Sequence, residues 1–245
     1  MGDSSAAYPQ FSKYERIGAY HWAEADPRWS NLSYNVPLVA RYRAILDLIP
    51  LTSRMILDVG CGDGYLMHLL YRRGFKCLVG IDNDPLGIQF AHEKLRAHDD
   101  SAACQVSVAS VYNLPSSSLS FDSVVMADVI EHLNAPEQAL REVSRVLTPD
   151  GALILSTPNW QPDRRWDASH VREYEPEELN SMLAPFFRQV TLYSCWPMWS
   201  FRLWAGGAVW RQVLRCLARL GFNPFAISTD RVSLKYGQLI AVCLK

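Results

Sequence analysis

The residues of this chain best suited to move protons are Asp128, Glu131 and His132, with His170 further along. Glu131 and His132 lie three and four residues beyond Asp128, so one helical turn would bring the three together. Histidine is the usual general base toward a hydroxyl near neutral pH, which makes His132 the candidate for that role. An upstream set points to binding instead. Met55-Ile56-Leu57-Asp58-Val59 is an apolar strand that runs into Gly60-Cys61-Gly62-Asp63-Gly64, and Cys77-Leu78-Val79-Gly80-Ile81 is a second strand that ends in Asp82. Glycines let a backbone turn sharply and approach a ligand where any Cβ would clash. An acid at the tip of the next strand, about twenty residues on, is where a ribose hydroxyl pair is held. This is half of a nucleotide-type cofactor site. A dinucleotide turn needs G-x-G-x-x-G, and its third glycine would fall on Tyr65, so pyrophosphate binding is excluded.

Alternating strands and helices must position these residues. Pro37 to Pro50 has a helical apolar rhythm ahead of the first strand, and Leu66, Leu69 and Leu70 share one face of a helix that stops near Gly74. Asp84-Pro85 is an N-cap with a first-turn proline, predicting a helix to about His98. Cys104–Val108 and Phe121–Ala127 follow as strands, and Asn134-Ala135-Pro136-Glu137 looks like a capping box. Pro149-Asp150-Gly151 predicts a turn before a strand at 152–157; strands at 187–193 and 238–244 complete the set. The pattern predicts a doubly wound parallel sheet with ligands at the carboxyl ends of its strands.

The run Asp58-Val59-Gly60-Cys61-Gly62-Asp63-Gly64, together with Gly80-Ile81-Asp82, resembles the class I S-adenosylmethionine (SAM)-dependent methyltransferases. The resemblance covers roughly residues 55–193. It implies an α/β, Rossmann-like seven-stranded sheet, mostly parallel, with helices on both faces and an antiparallel last strand. Asp58 would anchor the turn or the cofactor's amino group. Gly60, Gly62 and Gly64 would give backbone access, Asp82 would take the ribose hydroxyls, and Asn83 would flank the adenine. Ser110 stands where relatives often carry an acid toward the adenine; Val111 and Ala127 complete the expected cofactor-binding set. Tyr20-His21-Trp22 resembles an N-terminal segment that closes over the cofactor, although a surface aromatic pair docked on the core is an equal reading.

From Asp128 through Ser156-Thr157-Pro158-Asn159 to His170 the chain is similar to two groups. These are the O-methyltransferases of ubiquinone biosynthesis and the small-RNA 3′-terminal 2′-O-methyltransferases, in which two acids and two histidines hold Mg²⁺. Three roles stay open for the cluster. His132 is a general base; or Asp128, Glu131, His132 and His170 hold a divalent cation, Mg²⁺ or another; or Glu131-His132 merely caps the next helix. The expected reaction is methyl transfer from SAM to a small or lipophilic acceptor, at a hydroxyl. The alternatives are metal-assisted RNA 2′-O-methylation, for which Trp160, Arg164, Arg165 and Trp166 form a basic-aromatic patch, and a catalytically silent scaffold.

Composition fits a single large domain: 245 residues, 49% hydrophobic and 20% charged. A net charge of −1 supplies no global field to recruit DNA or other nucleic acid, or an anionic membrane. Cys77, Cys104 and Cys243, three of six scattered cysteines, read as small core residues of a cytoplasmic protein. Residues 1–7 show no secretory signal, and no apolar run is long enough to span a bilayer.

Four segments are expected: 1–36 closing over the cofactor, 37–193 the SAM-binding core, 194–237 an insertion rich in tryptophan, and 238–245 the last core strand. The 194–237 stretch holds four of the eight tryptophans, and Arg211, Arg215 and Arg219 recur every fourth residue on one helix face. Three uses are open. It is a substrate-side lid, or a homodimer contact, or (over residues 196–225) a peripheral membrane contact with the arginines toward anionic headgroups. Gly206-Gly207 favours two short helices over one.

Overall fold

The computed structural model describes residues 13–245; the expectation for residues 1–7 lies outside them. Two short helices, α1 (Lys13–Ile17) and α2 (Tyr20–Glu24), precede α3 (Val36–Leu48), which Asn35 caps by accepting from the Leu38 amide. Then follow β1 (Met55–Val59), α4 (Tyr65–Arg72), β2 (Cys77–Asp82), α5 (Pro85–Ala97), β3 (Cys104–Val108), β4 (Phe121–Ala127) and a single 3-10 turn over Ile130–His132. The chain continues through α6 (Pro136–Val146), β5 (Leu147–Pro158), α7 (Pro176–Leu183), β6 (Gln189–Pro197), α8 (Met198–Ala205), α9 (Ala208–Arg219) and β7 (Tyr236–Leu244).

The seven strands form one sheet in the order β3-β2-β1-β4-β5-β7-β6. Pairing is parallel from β3 to β5, and β7 lies antiparallel between β5 and β6, as expected. The order reverses between β1 and β4, so the crevice at their carboxyl ends is where this topology binds ligands. One apolar cluster carries Ile56, Leu70 and Leu78, and a second carries Leu57, Leu140 and Leu153. A third, smaller cluster joins Tyr34, Val36 and Ala40 to Leu214, Ala218 and Phe225.

Several local expectations change. Asp84 caps α5 as predicted, accepting from Leu86 N at 2.9 Å. The box at Asn134 does not form, because the Asn134 amide donates to the Tyr112 hydroxyl at 3.0 Å and the N-cap is Ala135. β5 begins at Leu147, not residue 152, since Phe121 pairs with Leu147 and Ser123 with Ala152 across a bulge. Cys104 and Cys243 are buried, whereas Cys77 is exposed.

Candidate active site

A cavity of about 640 Å³ opens at the carboxyl ends of β1, β2 and β4, lined by residues of that crevice and by Lys13, Tyr14, Tyr20 and His21. The predicted Asp58, Gly60, Asp82, Asn83, Ser110, Val111, Ala127, Asp128, Glu131, His132 and His170 all line it. Gly62 and Gly64 do not. Gly60 (φ +74°) approaches the loop after β4 so closely that a Cβ there would stand 2.4 Å from Val129 Cγ2. Gly62 (φ +52°) faces the N-terminal segment instead, where a Cβ would sit 1.9 Å from the Tyr14 hydroxyl. These two glycines therefore answer to a neighbouring loop and to a docked helix as much as to any ligand.

Asp63, which the sequence pattern passes over, ties that segment down. It is fully buried. Its carboxylate accepts from the His21 amide at 3.0 Å and lies 3.1 Å from His21 Nδ1. Its carbonyl accepts from Trp22 Nε1 at 2.8 Å, and its amide donates to the Tyr14 hydroxyl at 3.1 Å. One residue of the turn thus holds both short N-terminal helices against it.

The two acids of the cofactor crevice differ. Asp82 accepts from Gly62 N at 2.9 Å and from Asp84 N at 2.8 Å, which fixes its rotamer at the strand tip. Asp58 is buried, and its Oδ2 has no hydrogen-bond partner among the described residues. Burial pushes its pKa up to about 8, with the nearby Asp82 carboxylate adding to the rise. A buried, unpartnered carboxylate on a ligand cavity calls for a cationic donor. An amino acid ammonium would supply one, so the residues present would suit SAM, with Asp58 to meet its amino group, Asp82 its ribose, and Asn83, Ser110 and Val111 its base.

At the other end of the cavity the structure separates the predicted cluster. Asp128 has φ +54°, off any helical turn, and its carboxylate is paired with Arg41. Its Oδ1 also accepts from Ser156 Oγ at 2.7 Å and Gln238 Nε2 at 2.6 Å. Glu131, His132 and His170 come together without it, with one potential ligand atom of each within 4.8 Å of the others. The expectation that one helical turn unites Asp128 with Glu131 and His132 is therefore corrected. The left-handed residue and the Arg41 pair draw Asp128 aside.

Glu131 is fully buried; Oε2 accepts from Thr157 Oγ1 at 3.0 Å, and Oε1 has no partner among the described residues. Burial, then the Asp128 charge, raise its pKa well above the carboxylate range. His132 Nδ1 lies 3.2 Å from the Ser169 carbonyl and so donates to it, which makes Nε2 the basic nitrogen. Burial lowers the His132 pKa. His170 packs edge-on against His132, ring centroids 5.0 Å apart, with Nδ1 2.7 Å from Glu173 Oε1. The loop that carries His170 hangs on Glu131, whose carbonyl accepts from Val171 N at 2.7 Å and Arg172 N at 3.2 Å.

Two further predicted patches are spent internally. Trp166 Nε1 donates to the Asn159 carbonyl at 2.8 Å, Arg165 donates to the His170 carbonyl, and Arg164 lies over the rings of Trp166 and Phe201. Of the α9 arginines, the exposed Arg211 donates through Nε to the Trp204 carbonyl, while the other two turn toward residues 27–34. Arg219 donates to the carbonyls of Pro27, Arg28 and Asn31, and Arg215 to that of Tyr34. Gly206-Gly207 does break the segment into α8 and α9, and no residue of 194–237 lines the cavity.

Sheet order, glycine turn and strand-tip acid together define a class I methyltransferase fold. Residues 57–155 match the methyltransferase domain family. It is 34% identical over 137 residues to a probable S-adenosylmethionine-dependent methyltransferase of Mycobacterium tuberculosis, covering 54% of this chain and 47% of that one. It is 27% identical over 161 residues to a ubiquinone biosynthesis O-methyltransferase of Pseudomonas entomophila, covering 65% and 66%. A tRNA U34 carboxymethyltransferase of Saccharophagus degradans matches at 31% over 115 residues, 47% of this chain and 35% of that one. The chain thus spans less than half the length of the first and third relatives. Among solved structures, the complex between the Trm112 methyltransferase activator and a methyltransferase of Haloferax volcanii matches with TM-score 0.68 and 17% identity, covering 95% and 96%. No helix among the described residues is long and apolar enough to cross a membrane.

Proposed function

We propose that this chain transfers a methyl group from SAM to a hydroxyl of a small or lipophilic acceptor, with His132 as the general base. The observation that carries the reading is one cavity shared by an unpartnered Asp58 and a neutral, oriented His132. SAM, when bound, brings a methyl group already activated on a sulfonium. The chain must align an acceptor and keep water out. Tyr14, Tyr20 and His21 from the strapped N-terminal segment, with Ser169 and Val171 from the opposite loop, wall the cavity for that purpose. His132 Nε2 takes the acceptor proton, and the Ser169 carbonyl holds the ring in the tautomer that permits it.

A second reading rests on the convergence of Glu131, His132 and His170 with a buried, unpartnered Glu131 Oε1. The three side chains are suited to a divalent cation beside the acceptor hydroxyl. Two imidazoles in the set favour a metal softer than Mg²⁺. Relatives include both a tRNA-modifying and a ubiquinone-pathway enzyme. The internal use of Arg165 and Trp166 weighs against an RNA acceptor at the patch that prompted it.

Calorimetric titration with SAM after chelation tests the cofactor assignment. Micromolar binding that weakens more than tenfold in Asp82→Ala, with the fold intact, is expected. Unchanged affinity in that variant would reject the assignment, and no binding in the parent chain would leave a silent scaffold. Adding Mg²⁺, Mn²⁺ or Zn²⁺ back to an acceptor assay separates the two readings of the cluster, because only the second needs the ion.

A further inference from the structure

Helix α9 carries apolar side chains on two faces. Leu214 and Ala218 point inward, into the cluster with Tyr34, Val36 and Phe225. Val209, Val213, Cys216 and Leu220 recur at steps of four, three and four, which keeps them on one line along the helix. That line faces outward: Val209 is 76% exposed, Val213 41% and Leu220 75%. Trp210, Phe222 and, from α8, Trp199 are also exposed. Scattered exposed apolar residues are ordinary on a soluble surface, but a continuous helical stripe with the exposed Trp210 beside it marks an interaction face.

Charge identifies the occupant. From Ser194 to Thr229 the chain has Arg202, Arg211, Arg215 and Arg219 and no aspartate or glutamate. Arg215 and Arg219 donate to neutral backbone carbonyls, so these bonds do not cancel their charge, and the nearby Asp26 carboxylate that feels Arg219 is itself paired with Arg28. A second copy docked symmetrically here would set this positive field against itself. An anionic bilayer would complement it, take up the apolar stripe and seat the tryptophans in its interfacial zone.

We propose that the outer face of α9, extended by Trp199 and Phe222, docks this protein on an anionic lipid surface. The arginines serve from behind the contact, as a field and as a brace. The same helix grips residues 27–34, and that segment leads directly from His21 and Trp22, which are strapped to Asp63 at the mouth of the cavity. Docking would thus place on the bilayer the helix that braces the segment leading to the cavity's N-terminal wall. Its use in collecting a lipid-borne acceptor rests on the methyl-transfer reading, whereas the docking itself does not.

The test is co-sedimentation of the full chain with vesicles of phosphatidylcholine alone and of phosphatidylcholine with phosphatidylglycerol, at low and physiological salt. Binding to the anionic vesicles only, weakening with salt, is expected. The doubly substituted Val213→Glu, Leu220→Glu chain should bind them at least tenfold less, with unchanged SAM affinity and thermal midpoint, both positions being open to solvent. Failure to sediment, or sedimentation indifferent to these substitutions, would overturn the proposal. A dimer in solution that the same substitutions dissociate, without vesicle binding, would overturn it in favour of self-association. SAM binding that survives either failure keeps the cofactor assignment separate.

Discussion

Arg41 and Asp128, 87 residues apart in sequence, form an ion pair at the wall of the cavity between α3 and the end of β4. The pair is largely screened from solvent, and Asp128 takes two more hydrogen bonds from Ser156 and Gln238. Burial opposes the charge on Arg41, yet the Asp128 carboxylate beside it raises its pKa above the ordinary value. A left-handed backbone at Asp128 accompanies this arrangement, which leaves the acid out of the Glu131, His132 and His170 group.

Removing one partner of such a pair strands the other charge. Arg41→Met is expected to cost about 3 kcal/mol of unfolding free energy. The double substitution Arg41→Met with Asp128→Asn should cost less, because no uncompensated carboxylate is left. Urea denaturation of the two variants measures the difference, and equal losses would show that the pair is solvated well enough to be dispensable.

An Asp58 that meets the cofactor's amino group, as proposed, would make binding proton-linked. With a pKa near 8 it is largely protonated in the ligand-free chain at pH 7. An ammonium brought beside it favours the charged form and lowers that pKa, so binding must release a proton. Affinity for SAM should rise with pH through the neutral range and level off above about pH 8. Calorimetry in buffers of different ionisation enthalpy should show a release of up to about one proton at pH 7, absent in Asp58→Asn. Binding with no proton exchange would place the amino group elsewhere.

With His132 as the proposed base, its titration should set the acidic limb of the rate profile. Its pKa lies below the ordinary value because burial penalises the imidazolium. The base form therefore dominates above about pH 6.5, and turnover should fall only below that. His132→Ala should reduce turnover by about 10²- to 10⁴-fold and remove the limb while leaving SAM affinity unchanged. A variant that keeps full activity would reduce His132 to a packing residue.

The glycine turn and strand-tip acid that line one end of the cavity were legible from the sequence, since they depend on neighbours along the chain. An apolar strand, glycines that tolerate φ values of +74°, +52° and +76°, and an acid closing the next strand leave a spacing that survives without tertiary information. The same holds for Asp84 at the start of α5 and for the break at Gly206-Gly207. The acceptor half was legible only as a set of residue types. Glu131, His132 and His170 converge because Glu131 accepts from the backbone of Val171 and Arg172, a bond that leaves no periodicity behind.

By itself, then, the chain's local order determined a parallel sheet, the glycine turn, and the placement of Asp58 and Asp82 near the ends of adjacent strands, while the antiparallel last strand followed from the family resemblance. Only the tertiary structure decided that Asp128 belongs to Arg41, that Asp63 straps the N-terminal helices over the turn, and that the α9 arginines hold residues 27–34 while an apolar stripe faces out. Each of these joins residues more than forty positions apart. Helical and strand periods record which face of an element is apolar; they carry no information on which distant carboxylate or carbonyl will meet it.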